Sequence, residues 1–194
     1  MRLDDPVTLE NAVVRLEPLG PEHAGDLAEA AAGLEHAWYT SVPRPDAVPA
    51  EISWRREQHA AGGMNPWAVR RLDTGRAVGM TTYCNIDQPN RHVEIGHTWI
   101  GADAQRTAVN TAAKLLLLSH AFEECDAIAV EFRTHWHNRQ SRAAIERLGA
   151  RQDGVLRNHR LGPDGSLRDT VVYSILPHEW PAVRIGLRER LARG

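Results

Sequence analysis

Short apolar–polar alternations separated by turn residues indicate strands along most of the chain. Seven segments have this character: 12–19, 66–72, 77–86, 92–100, 126–134, 151–161 and 168–176. Gly20 and Pro21 stop the first of them, and the last two flank the turn sequence Gly162-Pro163-Asp164-Gly165. The pattern therefore predicts one isolated strand, a three-stranded meander, a further strand and a final hairpin.

Five segments with helical patterning lie between and after these strands: 21–33, 49–62, 109–124, 138–148 and 178–193. Pro21 and Pro49 suit a first helical turn, and Gly149 suits a helix end. The segment 109–124 is apolar on nearly all sides, so we expect a buried helix there. The element order β-α-α-β-β-β-α-β-α-β-β-α predicts a mixed α/β fold, in a single domain covering residues 1–194.

Composition excludes several classes of protein. With 42% hydrophobic and 25% charged residues, the 194-residue chain is not of the disordered type. The longest apolar run, Leu115–Leu118, falls far short of the roughly 18 residues that cross a membrane. The first residues lack the apolar core of a secretory signal, and Cys84 and Cys125 are too few for a disulfide framework. We expect a cytoplasmic protein that binds neither membrane nor nucleic acid.

The net charge is only −2, which argues against a nucleic-acid-binding protein whose affinity depends on neutralising phosphates. The charges are, however, unevenly distributed along the chain. Residues 1–60 contain eleven acidic residues and five arginines, a net of −6, so the remainder carries +4. An acidic half beside a basic half could serve a cationic and an anionic ligand. Solvated helix faces explain the same asymmetry equally well.

The segment between the strand 92–100 and the buried helix has the character of an anion site. A helix N-terminus presents unpaired N–H groups and the positive end of the helix dipole. The sequence Gln105-Arg106-Thr107-Ala108-Val109-Asn110 places small or polar residues there, and Arg106 adds a cation. Further on, Asn138 can cap a helix that follows a strand, with Ser141 in its first turn.

Together these segments resemble the GCN5-related N-acetyltransferase (GNAT) superfamily, and within it the RimJ/RimL-like N-acetyltransferases. The resemblance extends over essentially the whole chain. It rests on these stretches: Val14–Leu19, Glu94–Ile100, Val109–Lys114 with Leu115–Leu118, Asn138–Ser141 ending in Leu148-Gly149-Ala150, Gly154–Arg157 and Asp169–Ser174.

The resemblance implies acetyl-CoA as co-substrate. The family pattern Gln/Arg-x-x-Gly-x-Gly/Ala holds the pyrophosphate; Gln105 matches its first position, whereas Ala108 and Asn110 replace the small residues. The pantetheine arm pairs with Ile95–Ile100. The residues expected to contact the cofactor are His97, Thr98, Trp99, Gln105, Arg106, Thr107, Ala108, Val109, Asn110, Thr111, Asn138 and Ser141.

The resemblance also implies direct attack of a neutral amine on the thioester, without a covalent enzyme intermediate. Glu94 is the first candidate for the general base and His97 the second. Glu94 could equally be a surface carboxylate paired with an arginine. Relatives often use a tyrosine for the leaving thiolate, but none occurs between Asn138 and Gly149, so that role is unfilled or falls to Ser141 or water.

The resemblance further implies that the acceptor is a primary amine in a cleft walled by the first two helices, their loop and the last hairpin, with Trp38, Tyr39 and Glu94 as contacts. Trp38 and Tyr39 could equally hold that loop in place. The acidic segment favours the N-terminus of a ribosomal or other protein, or else a cationic peptide or aminoglycoside antibiotic. The alternative from another class is a non-catalytic acyl-CoA-binding module.

His135 and His137 share a strand face, as two metal ligands would, but a third ligand is missing and no metal site is predicted. The role of these two histidines stays undecided by the sequence. The arginine-rich C-terminal helix could pack on its own domain or on a second subunit, which leaves a homodimer open.

Overall fold

A computed structural model describes residues 1–34, 42–162 and 164–193. Its strands form one eight-stranded sheet: β1 (Leu9–Glu10), β2 (Val14–Pro18), β3 (Met64–Arg71), β4 (Ala77–Asp87), β5 (His92–Ile100), β6 (Ala129–His135), β7 (Arg151–Leu161) and β8 (Leu167–Ile175). Their order across the sheet is β1-β2-β3-β4-β5-β6-β8-β7. The pairing of β5 with β6 is parallel, and the other pairings are antiparallel.

Five α-helices connect these strands: α1 (Ala24–Ala32), α2 (Val48–Ala60), α3 (Ala108–Ser119), α4 (Arg139–Leu148) and α5 (Trp180–Ala192). Short 3-10 turns at Pro21–His23, Pro45–Ala47 and Ala102–Ala104 precede the first three, and a π-helical turn at His120–Glu124 extends α3. Among the described residues, no helix combines the length and apolar character needed to cross a membrane.

Two hydrophobic cores lie on opposite faces of the sheet. The larger one contains side chains of α3, α4 and α5 packed against residues such as Val93, Ile95 and Phe132. In the smaller one, Leu27 of α1 and Ile52 of α2 pack against members of β3, β4 and β5. The smaller core contains no residue of β6, whose side chains on that face are polar: Glu131, Arg133 and His135.

The mixed α/β class and the order of the predicted elements are confirmed, with one addition and one change. The strand β1 was not predicted: Asn11 Oδ1 accepts hydrogen bonds from the N–H groups of Val13 and Val14, both at 3.0 Å, which closes a turn that pairs β1 with β2. The buried helix keeps α-geometry only to Ser119, because the Cys125 N–H donates to the carbonyl of His120, five residues back.

Candidate active site

A slot opens where two parallel strands separate. The strands β5 and β6 are paired only from His92 to Glu94, opposite Ala129 to Glu131, although β5 continues to Ile100 and β6 to His135. Beyond Glu94 the edge of β5 that faces β6 is without a strand partner in the described part of the chain. An extended ligand could pair with this edge as an added strand does.

A β-bulge shapes the same stretch of β5. Met80 is paired with Trp99, and Thr82 with Gly96, so β5 has one more residue than β4 in this interval. His97 lies within the bulge and has a left-handed backbone with φ 48°. Such a conformation is uncommon for a residue other than glycine, and surrounding contacts must hold it.

The contact that holds the bulge comes from α2. Arg55 Nη1 donates to the His97 carbonyl oxygen at 2.9 Å and to Thr82 Oγ1 at 2.8 Å. The Arg55 side chain is 1% exposed, and its Nε donates to Glu51 at 2.7 Å. Burial lowers the pKa of Arg55, whereas the Glu51 carboxylate opposes that effect. Arg55 therefore anchors β5 to α2 through a paired, buried charge.

Glu94 is a buried carboxyl group at the point where the slot begins. It is 8% exposed, its Oε2 accepts a hydrogen bond from Asn85 Nδ2 at 2.6 Å, and Arg133 Nε lies 3.6 Å from the same oxygen. Burial raises the pKa of Glu94, while Asn85 and Arg133 lower it to a smaller extent. The result is a carboxylate of greater basicity than an exposed one.

Gly96 gives the Glu94 side chain its position. A Cβ atom added at Gly96 would lie 2.8 Å from Glu94 Oε1 and 2.8 Å from Cys84 Sγ. The carboxylate thus lies over a backbone position that only glycine leaves open. Cys84 and Glu94 are cross-strand partners, and burial followed by the Glu94 charge raises the pKa of the Cys84 thiol.

His97, the second candidate base, has the opposite electrostatic environment. Its ring lies 5.7 Å from that of Trp54. Burial, followed by the charge of Arg55, lowers the pKa of His97 to about 4. The imidazole is therefore neutral at physiological pH and a weak proton acceptor, which makes Glu94 the better placed of the two.

The loop that follows β5 has the form of an anion site. Gln105 Nε2 donates to the Ile100 carbonyl at 3.0 Å, and Thr107 caps α3 by accepting from the Val109 N–H at 3.3 Å. Arg106 has φ 60°, and its side chain is exposed. The other N–H groups of the first turn of α3 have no partner within the helix, so this end can receive phosphate oxygens.

The first turn of α4 lies at the same edge of the sheet, because α3 and α4 follow the carboxyl ends of two parallel strands. Asn138 Oδ1 accepts from the Ser141 N–H at 3.0 Å and caps the helix. Ser141 is partly exposed, and its hydroxyl makes no hydrogen bond within the described residues. Asn138 is thus a structural cap, whereas the Ser141 hydroxyl is available to a ligand.

Several other predicted positions are distributed around this site. Asn110 and Thr111 lie partly exposed in the first turn of α3. The side chains of Trp99 and Val109 are buried in the two cores, so only their backbone can meet a ligand. Thr98 Oγ1 accepts from Lys114 Nζ at 3.1 Å.

Two residues predicted to contact the acceptor, Trp38 and Tyr39, lie outside the described residues. Tyr173 of β8 lies beside α4, where relatives often have a tyrosine. Its OH donates to Glu146 at 2.8 Å and accepts from Arg142 at 3.2 Å, so it ties β8 to α4.

His135 and His137 interact with each other. The His137 N–H donates to His135 Nδ1 at 3.0 Å, and the two rings are 5.5 Å apart. This bond fixes His135 as an acceptor at Nδ1. Within residues 1–34, 42–162 and 164–193, no three histidine, cysteine or acidic side chains are grouped as metal ligands.

Sequence reasoning missed the residues that hold Glu94 and the bulge. Glu131 and Arg133 are two positions apart in β6 and so lie on the same face of the strand, and that spacing could have indicated that they line the slot. Arg133 pairs with Glu131 at 2.8 Å as well as approaching Glu94. Arg55 and Asn85 come from distant elements, and no local pattern distinguishes them.

Several acidic residues of the first sixty positions are paired with neighbours. Glu17 accepts from His23 and from Arg70, each at 2.9 Å, and Glu29 pairs with Arg76. The charges that act on Glu94 are instead those of Arg133, Glu131 and Arg160. The net charge of the segment therefore does not describe the charge at the slot.

Proteins of similar sequence and structure are known. Residues 14–151 match the acetyltransferase (GNAT) domain. The Bacillus subtilis protein "Putative ribosomal N-acetyltransferase YdaF" is 35% identical over 127 residues, 66% of this chain and 67% of that one. A GCN5-related N-acetyltransferase from Brucella melitensis superimposes with a TM-score of 0.86 at 30% identity, over 96% of this chain and 86% of that one. Mycobacterium smegmatis RimJ, solved in complex with CoA-disulfide, shares the fold at a TM-score of 0.78 and 23% identity, over 98% and 97% of the two chains.

Proposed function

The chain belongs to the GNAT family of acetyltransferases, and on that basis we propose that it transfers an acetyl group from acetyl-CoA to the α-amino group of a protein or peptide. The observation that carries this proposal is Glu94, a buried carboxyl with a raised pKa where β5 and β6 separate. A carboxylate in that environment is suited to take a proton from an incoming ammonium group.

The residues around the slot fit acetyl-CoA. The unpaired edge of β5 offers backbone groups to the amides of the pantetheine arm, and the first turn of α3 offers N–H groups to the pyrophosphate. Ala108 has no branched side chain to block that approach, and Arg106 adds a positive charge. When bound, acetyl-CoA supplies a thioester whose carbonyl carbon is attacked by the neutral amine.

Glu94 acts as the general base in this proposal. Its carboxylate accepts one proton from the acceptor ammonium, directly or through water, and the amine becomes a nucleophile. Asn85 orients the carboxylate through the 2.6 Å hydrogen bond to Oε2 and leaves Oε1 above Gly96. The C–N bond then forms and the C–S bond breaks, while the Ser141 hydroxyl donates a hydrogen bond to the departing sulfur. The remaining proton lost by the nitrogen goes to the thiolate, and CoA leaves as the free thiol.

An α-amino group suits this base better than a lysine side chain does. Its pKa in peptides is about 8, against about 10.4 for lysine, so an appreciable fraction is already neutral near pH 7. The similarity to a protein named as a ribosomal N-acetyltransferase supports a protein N-terminus as acceptor. That similarity also argues against a module that only binds acyl-CoA.

Thiol release from acetyl-CoA tests the proposal. Purified protein is mixed with peptides that bear a free N-terminus and, in parallel, with aminoglycosides and cationic peptide antibiotics. We expect release with the peptides, and a loss of about 10²- to 10⁴-fold in kcat for Glu94→Gln. The binding constant for acetyl-CoA should stay within a factor of about three, because Glu94 lies beyond the anion site.

The Glu94→Asp variant is the matched control, since it keeps the charge and withdraws it by one methylene. Partial activity in Glu94→Asp and almost none in Glu94→Gln would support a base at this position. Release with antibiotics alone would replace the proposed acceptor. Tight binding of acetyl-CoA without release for any amine would establish the binding-module alternative.

A further inference from the structure

Two arginines stand directly opposite each other near the turn of the β7–β8 hairpin. Arg160 of β7 is the register partner of Arg168 of β8, so both side chains leave the same face of the sheet. Like charges at such positions repel each other and destabilise the strand pair. The neighbouring carboxylate Asp169 is occupied by Arg157, at 2.6 Å. In the described part of the chain, neither Arg160 nor Arg168 has a carboxylate within ion-pair distance.

Arg168 also has a buried donor without an acceptor. Its Nε atom is buried and has no hydrogen-bond partner among the residues described. Burial, followed by repulsion from Arg160, lowers the pKa of the Arg168 guanidinium. A buried donor without an acceptor destabilises the protein, and an anion that binds there and accepts the hydrogen bond removes this destabilisation. A guanidinium binds a carboxylate through two parallel hydrogen bonds.

The arginine pair faces the proposed base. Side chains of β8 alternate, and its pairing with β6 puts Arg168 on the same face as Arg133 and Glu131. The pKa of His97, lowered first by burial, is lowered further by Arg160 and Arg168. The charge of Arg160 also lowers the pKa of Glu94, after the effects of burial and nearer groups. The two guanidinium groups thus lie close enough to act electrostatically on the position beside Glu94 where the acceptor amine is proposed to bind.

We propose that Arg160 and Arg168 bind a carboxylate of the acceptor, so that the enzyme prefers peptides with an acidic residue among their first few positions. This inference rests on the proposed function. A cationic acceptor would bring a like charge toward the pair and leave its Nε donor unpaired. An acidic peptide neutralises the repulsion while its terminal amine lies at Glu94.

Matched peptides test the preference. Ser-Glu-Ala-Ala-Tyr and Ser-Gln-Ala-Ala-Tyr differ only in one charge, and kcat/KM is measured for both. We expect the wild type to favour the acidic peptide by about tenfold or more, as charge-assisted pairing predicts. The double variant Arg160→Met/Arg168→Met should treat the two peptides alike. Arg157→Met, which alters a paired arginine of the same hairpin, should retain the preference.

Equal rates for the two peptides with the wild type, or an undiminished preference in the double variant, would overturn the inference and leave the proposed function standing. If no peptide is acetylated, the proposed function fails, and calorimetric titration of both peptides onto the CoA-bound protein still decides the inference. Equal affinities would then reject it. The double variant should melt no lower than the wild type, because it removes a repulsion.

Discussion

Arg55 Nη1 donates to the carbonyl oxygen of His97 across 2.9 Å, and this bond joins the middle of α2 to the bulge of β5. The same guanidinium is paired with Glu51 and bonded to Thr82. The helix α2 thereby fixes the strand edge to which acetyl-CoA is proposed to bind. One buried side chain connects that helix to the bulge.

Replacing that side chain should affect stability and donor binding together. We expect Arg55→Met to lose about 3 kcal/mol of unfolding free energy, because Glu51 and the His97 carbonyl are left without their buried partner. The KM for acetyl-CoA should rise, since the bulge is released. Urea unfolding and thiol-release kinetics measure the two effects. Arg56→Met changes the adjacent, exposed arginine and should leave both values near wild type.

The pH dependence of the reaction should report the environment of Glu94. Activity rises with pH as a base loses its proton, so kcat/KM for the acceptor peptide should have an acidic limb above the ordinary glutamate pKa of 4.5. Asn85→Gly removes the hydrogen bond that lowers this pKa, so we expect the acidic limb to move to higher pH. Asn85 has φ 49°, so glycine preserves its backbone conformation.

Asp126→Gly is the matched control for that shift. Asp126 has φ 51° and is exposed, and the substitution introduces the same extra chain entropy far from Glu94. Its pH profile should coincide with that of the wild type. An acidic limb that stays in place in Asn85→Gly would remove Glu94 from the role of base. The limb of the acceptor amine, near about pH 8, is common to all three proteins.

Lys114, the chain's only lysine, should make stability depend on pH. It is buried behind β5, and burial lowers its pKa from 10.5 to about 7. Between these two values the unfolded chain binds more protons than the folded one, so the free energy of unfolding rises with pH across this window. Below pH 7 the folded protein must carry a buried charge, at a cost of a few kcal/mol, given about 1.4 kcal/mol per pKa unit.

Lys114→Met should therefore stabilise the protein at pH 7 and flatten the rise between pH 7 and 10. The Thr98 hydroxyl keeps its contact with Thr81 at 2.8 Å, so the substitution leaves no unpaired partner. Urea midpoints at a series of pH values measure the effect. A wild type with the same slope as Lys114→Met would mean that the ammonium is solvated and its pKa is ordinary.

Features that depend on nearby residues could be predicted from the sequence. The helix α4 is bounded by a capping Asn138 and by Gly149, whose φ of 103° favours glycine, and both signals are local. The alternation of Val93 and Ile95 likewise predicts β5 and its buried face.

Contacts between distant residues could not be predicted in this way. Arg55 and His97 are 42 positions apart. Their hydrogen bond depends on a bulge in β5 that the residue types around it do not indicate. The pairing of Arg160 with Arg168 depends on a register shift after Leu156, which adds two residues to β7. Glu94 was found as a candidate because a family resemblance marked it. Its elevated pKa follows from burial, which is a property of the folded chain.

The anion site should be separable from catalysis through Arg106. This residue has φ 60°, so Arg106→Gly removes the guanidinium and keeps the left-handed turn that precedes α3. We expect the KM for acetyl-CoA to rise about three- to tenfold with kcat unchanged, because an exposed charge acts on phosphate binding only. The rise should shrink at high salt, where the wild type loses the same attraction. Arg91→Gly, an exposed arginine with φ 50° in the β4–β5 turn, undergoes the same chemical change away from the site and should show no effect. A lower kcat in Arg106→Gly with an unchanged KM would instead connect this loop to the chemical step and contradict its assignment as a phosphate site.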